Sequence, residues 1–420
     1  MGMPGDIGPP WRVPLLLLAF ASLFLGIDAG LARLGWSSPG AGLSAVHGPL
    51  MASGFFGTVI SLERAVALGR RWAYAAPLLS GLGALAAMLA APPAVAPLLS
   101  AAGSAVMLAA SVVITLRQRE LFTLTLALGA SCWTVGNLIW LGGHPVYEVV
   151  PWWIAFLVLT IAGERLELSR LLPPSPVAKR VFALLLGGLL LGVTVSLLDW
   201  SAGTRVLGFA LAGLALWLMR QDVARRTVKA SGLTRFIAVC LLSGYVWLAV
   251  GGISILASGG LDFGGAAYDA ALHAVLLGFV FSMVFGHAPI IFPAVLRVAV
   301  PYHPYFYAPL ALLHASLLIR LAGDWMLSAG WRAWGGMLNG VALVAFVLGT
   351  IAAVIRGKVG RQAGLCSAQP MRRFPRYLSI ATIQSAGARR PERLSENKSL
   401  TIRLWRSSPR HAAQVINRLD

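Results

Sequence analysis

Apolar runs of roughly twenty residues recur along the chain, separated by short stretches that are charged or rich in Pro and Gly. A run of that length is what an α-helix needs to cross the hydrocarbon core of a bilayer, which is about 30 Å thick. No alternation of period two runs through these segments, so strands are excluded. The pattern predicts an all-α, polytopic transmembrane helical bundle of about twelve helices: Val13–Leu34, Leu43–Leu68, Ala73–Ala91, Ala94–Leu116, Leu121–Gly142, Tyr147–Leu166, Val181–Leu198, Thr204–Met219, Phe236–Ala257, Ala267–Ile290, Tyr305–Leu321 and Trp334–Ile355.

The positions of Lys and Arg provide an independent test of this count. Loops after even-numbered spans hold fifteen of these residues: Arg64, Arg70, Arg71, Arg117, Arg119, Arg165, Arg170, Lys179, Arg180, Arg220, Arg225, Arg226, Lys229, Arg235 and Arg297. Loops after odd-numbered spans hold four: Arg33, Arg205, Arg320 and Arg332. Because cytoplasmic loops carry the excess of positive charge, the alternation predicts that both termini are cytoplasmic.

Composition supports the same class of protein. Hydrophobic residues make up 58% of the 420 and charged residues 12%, which is more apolar surface than a soluble domain can bury. The net charge of +19 is interpreted as loop charge plus a basic tail, and no nucleic-acid-binding motif accompanies it. We therefore expect the lipid bilayer, and no nucleic acid, as a partner.

The charge distribution also divides the chain. Residues 1–12 are predicted to be a cytoplasmic segment, and residues 13–356 a transmembrane domain. Residues 357–420 hold thirteen Lys and Arg against three acids, with no run of spanning length. This tail is predicted to be disordered and cytoplasmic, and its basic character would suit anionic lipid.

Four of the seven histidines lie inside predicted spans: His47, His273, His287 and His314. Ionisable groups are costly to bury in a membrane, so each is a functional hypothesis. A structural histidine and a metal or haem ligand are both compatible with any one of them. Four together favour ligands.

Depth separates these histidines into two levels. The second and tenth spans both run from outside to inside, and His47 and His273 each fall early in their span. The two imidazoles are thus predicted at matched depth near the outer face, as two axial ligands of one haem iron require. Asp269, one turn before His273, is expected to orient that ring as a hydrogen-bond acceptor. A simple interfacial acid is the alternative.

The second level lies near the inner face. His287 follows His273 by fourteen residues, which on a regular helix returns it to within about 40° of the same face and about 21 Å along the axis. His287 and His314 are predicted as ligands at this second level. They would either share one metal or haem centre or each bind a separate one. Pro289 and Pro293 follow His287 and are expected to kink the helix.

Two Glu-Arg dipeptides lie at the inner ends of the second and sixth spans: Glu63-Arg64 and Glu164-Arg165. Local charge pairing and interfacial anchoring are one interpretation. The other is a proton path that enters through the two glutamates.

The segments HGPLMASGFFGTVISLERAVALG, HAVLLGFVFSMVFGH and LLHASLLIRLAGD resemble the NnrS family, twelve-helix bacterial membrane proteins related to the catalytic subunit of haem-copper oxidases. The matching features are His47 with Gly54-Phe55, and the His-x13-His spacing of His273 and His287. The resemblance implies haem b, allows copper, and implies a role in the response to nitric oxide and nitrosative stress. It also implies the bacterial inner membrane and a small gaseous ligand such as nitric oxide.

The chain departs from haem-copper oxidases in having no adjacent His-His pair, and no histidine in its sixth to ninth spans. Reduction of oxygen or nitric oxide at a haem–copper centre is therefore not expected, and the sequence leaves open whether the protein is an enzyme. Two other interpretations stay open beside a haem protein of respiratory redox chemistry. One is a transporter or permease with a histidine-lined proton or substrate path, and the other is a non-catalytic scaffold of a respiratory complex.

Overall fold

A computed structural model describes residues 6–169, 174–261 and 264–362. Within these ranges the chain forms long helices and no strand, which confirms the all-α bundle. Eleven helices in the described ranges are long and apolar enough to cross a membrane. Beyond its first six residues, the predicted basic tail lies outside the described residues. We use "inner" for the end of the bundle at which the arginine pattern predicts the cytoplasm, and "outer" for the opposite end.

The helices follow the predicted spans closely. They are α1 Pro9–Arg33, α2 Pro39–Leu68, α3 Ala75–Met88, α4 Val95–Arg117, α5 Leu121–Leu141, α6 Val146–Leu168, α7 Pro176–Val195, α8 Trp200–Gln221, α9 Gly232–Ala257, α10 Ala266–Leu296, α11 Pro304–Trp325 and α12 Ala329–Gln362. A four-residue helix, Ala224–Thr227, lies between α8 and α9.

Helix α3 is the exception in length, with 14 residues where the sequence predicts a span over Ala73–Ala91. It ends early because Ala90 takes a positive φ of 50° and two prolines follow, which stops helical hydrogen bonding. A 3₁₀ turn, Arg71–Tyr74, precedes it. Turn and helix together are about 29 Å long, close to the thickness of the hydrocarbon core.

Helices that are consecutive in sequence pack against each other along the chain, and α1 also contacts α10 and α12. These contacts between the first and last helices close the bundle. Helix α6 is the most enclosed, with every residue from Val149 to Gly163 buried. Helices α2 and α10 also contact α6, so side chains of these three helices can meet in the interior.

Helices α2 and α10 share an irregularity that the hydrophobic pattern does not predict. In α2 the backbone is π-helical over Leu50–Gly57, shortly after His47, and in α10 it is π-helical over Ala274–Phe281, directly after His273. Segments of π-helix are rare and occur frequently at functional sites.

The π segment changes where His287 lies. A π turn holds more residues than an α turn, so fourteen residues no longer return His287 to the face of His273. His273 lies against α2, whereas His287 lies against Arg165 of α6. Helix α10 continues through Pro289 and Pro293 and ends at Leu296, six residues beyond the predicted end.

Arg12 connects three elements at the inner end of the bundle. Its buried guanidinium donates to the carbonyl of Val295 at 2.7 Å and pairs with Asp6 at 2.7 Å. Asp6 in turn accepts a hydrogen bond from Tyr74 at 2.6 Å. The start of α1, the turn before α3 and the end of α10 are thereby joined.

Asn137 of α5 connects four helices in the interior. Its Oδ1 accepts from Ser53 Oγ at 3.0 Å and Trp153 Nε1 at 3.1 Å, and its Nδ2 donates to the carbonyl of Ser100 at 3.1 Å. Trp133 donates to Ser53 at 3.0 Å. Since Ser53 belongs to the π segment of α2, this network holds that segment against α4, α5 and α6.

We expect Asn137→Leu to lower the free energy of unfolding by about 1–3 kcal/mol, because Trp153 and the carbonyl of Ser100 lose buried partners. Thermal unfolding of the purified protein in detergent measures the change. Thr194→Val, which removes an exposed hydroxyl bonded only to its own helix, is the control and should unfold as the wild type does. An Asn137 variant as stable as the control would contradict the role assigned to this network.

Candidate functional site

The structure brings His47 and His273 together. Their ring centroids are 6.5 Å apart and the ring planes differ by 19°. Eight residues further along each helix, Phe55 and Phe281 make a similar parallel contact, with centroids 5.9 Å apart and an interplanar angle of 4°. Helices α2 and α10 therefore run side by side in register, which is what the predicted matched depth of the two histidines requires.

Each imidazole is fixed through its Nδ1 atom. Nδ1 of His47 lies 2.7 Å from the carbonyl oxygen of Gly26, and Nδ1 of His273 lies 2.8 Å from that of Asp269. A carbonyl only accepts, so each Nδ1 carries the proton. Neither Nε2 has a hydrogen-bond partner among the described residues. In the neutral rings both Nε2 atoms therefore present lone pairs, the form in which histidine binds a metal.

Two glycines of α1 allow the side chain of His47, on α2, to pack closely against the backbone of α1. A Cβ at Gly30 would lie 2.8 Å from Cε1 of His47, and one at Gly26 would lie 2.7 Å from Sδ of Met51. The spacing of the two glycines is that of small-xxx-small helix contacts, and His47 and Met51 are also four residues apart. The close packing of α1 and α2 thus fixes the position of the His47 ring.

On the other side of the pair, Asp269 holds both His273 and an arginine. Its Oδ1 lies 3.2 Å from Nδ1 of His273, as predicted for an orienting acid. Both carboxylate oxygens also accept from the buried Arg320 of α11, each at 2.9 Å. Sequence reasoning counted Arg320 only as an outer loop charge. Its place inside an apolar run, four residues before Asp324, was the available signal.

His287 lies on the inner side, in a different environment. Its Nδ1 donates to the carbonyl of Met283 at 2.7 Å, and its Nε2 accepts from Nη1 of Arg165 at 3.3 Å. Arg165 lies 3.2 Å from Asp222, which also accepts from the hydroxyl of Tyr245. A guanidinium directed at Nε2 opposes the binding of a metal cation there.

His314 has protein partners at both ring nitrogens. Trp247 donates to its Nδ1 at 2.9 Å, and its Nε2 donates to Ser243 at 3.0 Å. His287 and His314 make no contact with each other in the described ranges. Nor does the described part of the chain contain a group of three or more metal-ligating side chains. The second centre at His287 and His314 remains a prediction without a supporting contact.

The two Glu-Arg sequences pair across helices rather than locally. Arg64 of α2 donates to Glu164 of α6 at 2.9 Å, while Arg165 belongs to the group around Asp222. Glu63 has neither a hydrogen bond nor an ion pair among the described residues. Glu63, Glu164 and His287 line one cavity of about 1010 Å³. Sequence reasoning thus found both glutamates but missed Asp222 and Tyr245, whose positions between helices carry no periodic signal.

Comparison with known proteins identifies a family. The family model of a domain of unknown function, DUF8744, matches residues 12–355, which cover all twelve helices nearly completely. The chain belongs to this family. No curated protein and no solved structure matches it. The family description names no activity, so the function must be argued from the site.

We expect Gly30→Ala to destabilise the protein by about 1–3 kcal/mol, because the new methyl group would overlap the His47 ring. Gly42→Ala is the matched control, since a Cβ there meets nothing within 4 Å. Thermal unfolding of both variants in detergent measures the difference. Equal stability of the two would mean that α1 does not fix His47.

Proposed function

We propose that this member of the DUF8744 family is a haem-binding integral membrane protein in which His47 and His273 are the axial ligands of one haem b. The supporting observation is the geometry of the pair, with centroids 6.5 Å apart and nearly parallel planes. With metal–nitrogen bonds of about 2.0–2.1 Å, two imidazoles on opposite sides of one metal have ring centres roughly 6.3 Å apart. The observed spacing agrees with that value.

The donor set also suits the cofactor. A haem iron takes two axial ligands from the protein, so the lack of a three-residue metal-ligating group in the described part of the chain is no obstacle. The carbonyl of Gly26 and the backbone and side chain of Asp269 would hold the two rings in the ligating tautomer. Such partners fix ring orientation and raise ligand basicity.

A haem held by two imidazoles supplies one-electron transfer, since both axial positions are filled. Respiratory redox chemistry is therefore the activity that the pair favours. A role in the response to nitric oxide, membership of an NnrS-like branch and location in the bacterial inner membrane rest on the resemblance of the histidine segments.

A transporter with a proton path is the second candidate, favoured by the buried charges of the inner half. Arg64, Glu164 and Arg165 are paired there, and Glu63 has no ion-pair partner among the residues that the structure describes. Intramembrane carboxylates commonly serve proton relays. The transporter and the third interpretation, a respiratory scaffold, both predict a purified protein without haem.

Purified protein from haem-replete cells should show a Soret band, a low-spin reduced-minus-oxidised spectrum and haem b by pyridine haemochrome. His47→Ala and His273→Ala should each lose that spectrum, because each removes one axial ligand. His144→Ala, at an exposed histidine, is the control and should retain it. Wild-type protein without a Soret band would refute the proposal, and loss in only one of the two variants would refute the pairing.

Asp269→Ala should weaken haem retention by about 10–100-fold, the usual effect of removing a partner that orients a ligating histidine. Haem content after dialysis against apomyoglobin measures retention. Asp199→Ala removes an acid that caps α8 and lies away from the pair, and it serves as the control. Equal retention in the two variants would show that Asp269 does not position His273.

A further inference from the structure

The cavity of about 1010 Å³ lies in the inner half of the bundle, separated from the histidine pair by Phe55 and Phe281. Its walls come from α1, α2, α6, α10 and α12. Most of its lining is apolar, from side chains such as Phe20, Val284 and Val347. A volume of this size accommodates a large small-molecule ligand.

The cavity opens sideways, between the first and last helices. Residues of α1 as far as Phe24 and the inner half of α12 line it, and both helices expose apolar side chains beside it: Val13, Leu17, Phe24, Leu348, Ile351 and Ile355. In a bilayer these side chains face acyl chains. A ligand would therefore enter from the lipid rather than from water.

The deep wall of the cavity is polar. Glu63 of α2, Glu164 of α6 and His287 of α10 all line it. Glu164 is paired with Arg64, and His287 accepts from Arg165, but the carboxyl group of Glu63 has no hydrogen-bond or ion-pair partner among the described residues. A carboxyl group in an apolar intramembrane cavity is costly to leave unpartnered. This points to a ligand that hydrogen-bonds to Glu63.

The charges near Glu63 select the kind of head group. Arg64 pairs with Glu164, and Arg165 pairs with Asp222, so each cation is already matched by an acid. Glu63 adds one carboxyl beyond these pairs. The described residues that line the cavity include no Lys or Arg to meet an anionic phosphate, and a plain acyl chain would leave Glu63 unpartnered. A neutral head with hydrogen-bonding oxygens fits both requirements.

We propose that this cavity binds a lipid-soluble quinone, with a ring oxygen of its head group accepting a hydrogen bond from the protonated carboxyl group of Glu63, and its apolar tail along α1 and α12 toward the bilayer. The proposal does not depend on haem at His47 and His273, and it adds a second site to the protein. A quinone has two ring oxygens and a long hydrocarbon tail, which match the polar deep wall and the lateral opening.

The test uses the purified full chain in nanodiscs of synthetic phosphatidylcholine, titrated calorimetrically with decylubiquinone. We expect saturable binding to the wild type. Decylbenzene, which has the same tail and no oxygens, should bind at least about tenfold more weakly, since one hydrogen bond contributes on the order of that factor. No saturable binding of decylubiquinone, or equal binding of decylbenzene, would overturn the proposal.

Two pairs of variants locate the site. Val284→Trp fills the cavity and should abolish binding, whereas Leu184→Trp, at a lipid-facing position of α7, should not alter it. Glu63→Leu should weaken binding roughly tenfold through loss of its hydrogen bond, whereas Glu148→Leu, at the outer start of α6, should not. Undiminished binding to Val284→Trp would place the quinone elsewhere and refute the assignment. Because the readout is quinone binding, it is unaffected by whether the protein carries haem.

Discussion

Helices α2 and α10 lie side by side in one register, so that His47 meets His273 and, eight residues later, Phe55 meets Phe281. Two regular helices that cross at an angle diverge over such a distance. Here each helix carries an eight-residue π segment, Leu50–Gly57 in α2 and Ala274–Phe281 in α10. The two segments overlap along the paired helices, and the ring contacts before the overlap and at its end are aligned. This alignment brings the two histidines to the same depth, and the packing of α1 on α2 and the hydrogen bonds at Nδ1 fix the two rings.

The buried charges impose a second constraint. Removing one partner of a buried ion pair leaves a charge that the interior cannot solvate, which is strongly destabilising. The outer half meets this constraint with Asp269 and Arg320, and the inner half with Arg64–Glu164 and Arg165–Asp222. Each of these pairs joins different elements, so the charges also fix which helices are neighbours.

The number and approximate positions of the helices could be predicted from the sequence because spanning length and loop charge are local signals. The pairing of His47 with His273 could be predicted because depth along a helix follows from residue number and direction. The position of His287 relative to His273 could not be predicted. Its prediction assumed regular α-helix, and nothing in the apolar segment AVLLGFVF reveals that its backbone is π-helical.

Ion pairs between different helices could not be predicted from the sequence either. Arg64 and Glu63 are adjacent in sequence, yet Arg64 pairs with Glu164 one hundred residues away. Asp222 lies at the end of α8 and meets Arg165 only because α8 and α6 pack together. Such pairs depend on the rotation of each helix about its own axis. Hydrophobic periodicity defines that rotation poorly here, because the twelve helices are uniformly apolar. The lateral cavity depends on the same packing.

The aromatic contacts between the two halves decide what can pass through the protein. Phe55, Phe56 and Phe281 are buried and packed on one another between the histidine pair and the inner cavity. Proton transfer needs a chain of hydrogen-bonding groups or water, and an apolar layer provides neither. Among the described residues, the side chains of this layer offer no hydrogen-bonding group between Glu63 and His273. A transporter would have to separate α2 from α10, and that movement would break the histidine pair. A redox protein keeps both in place, so the packed aromatic layer supports the proposed electron transfer more than it supports the alternative proposal of transport.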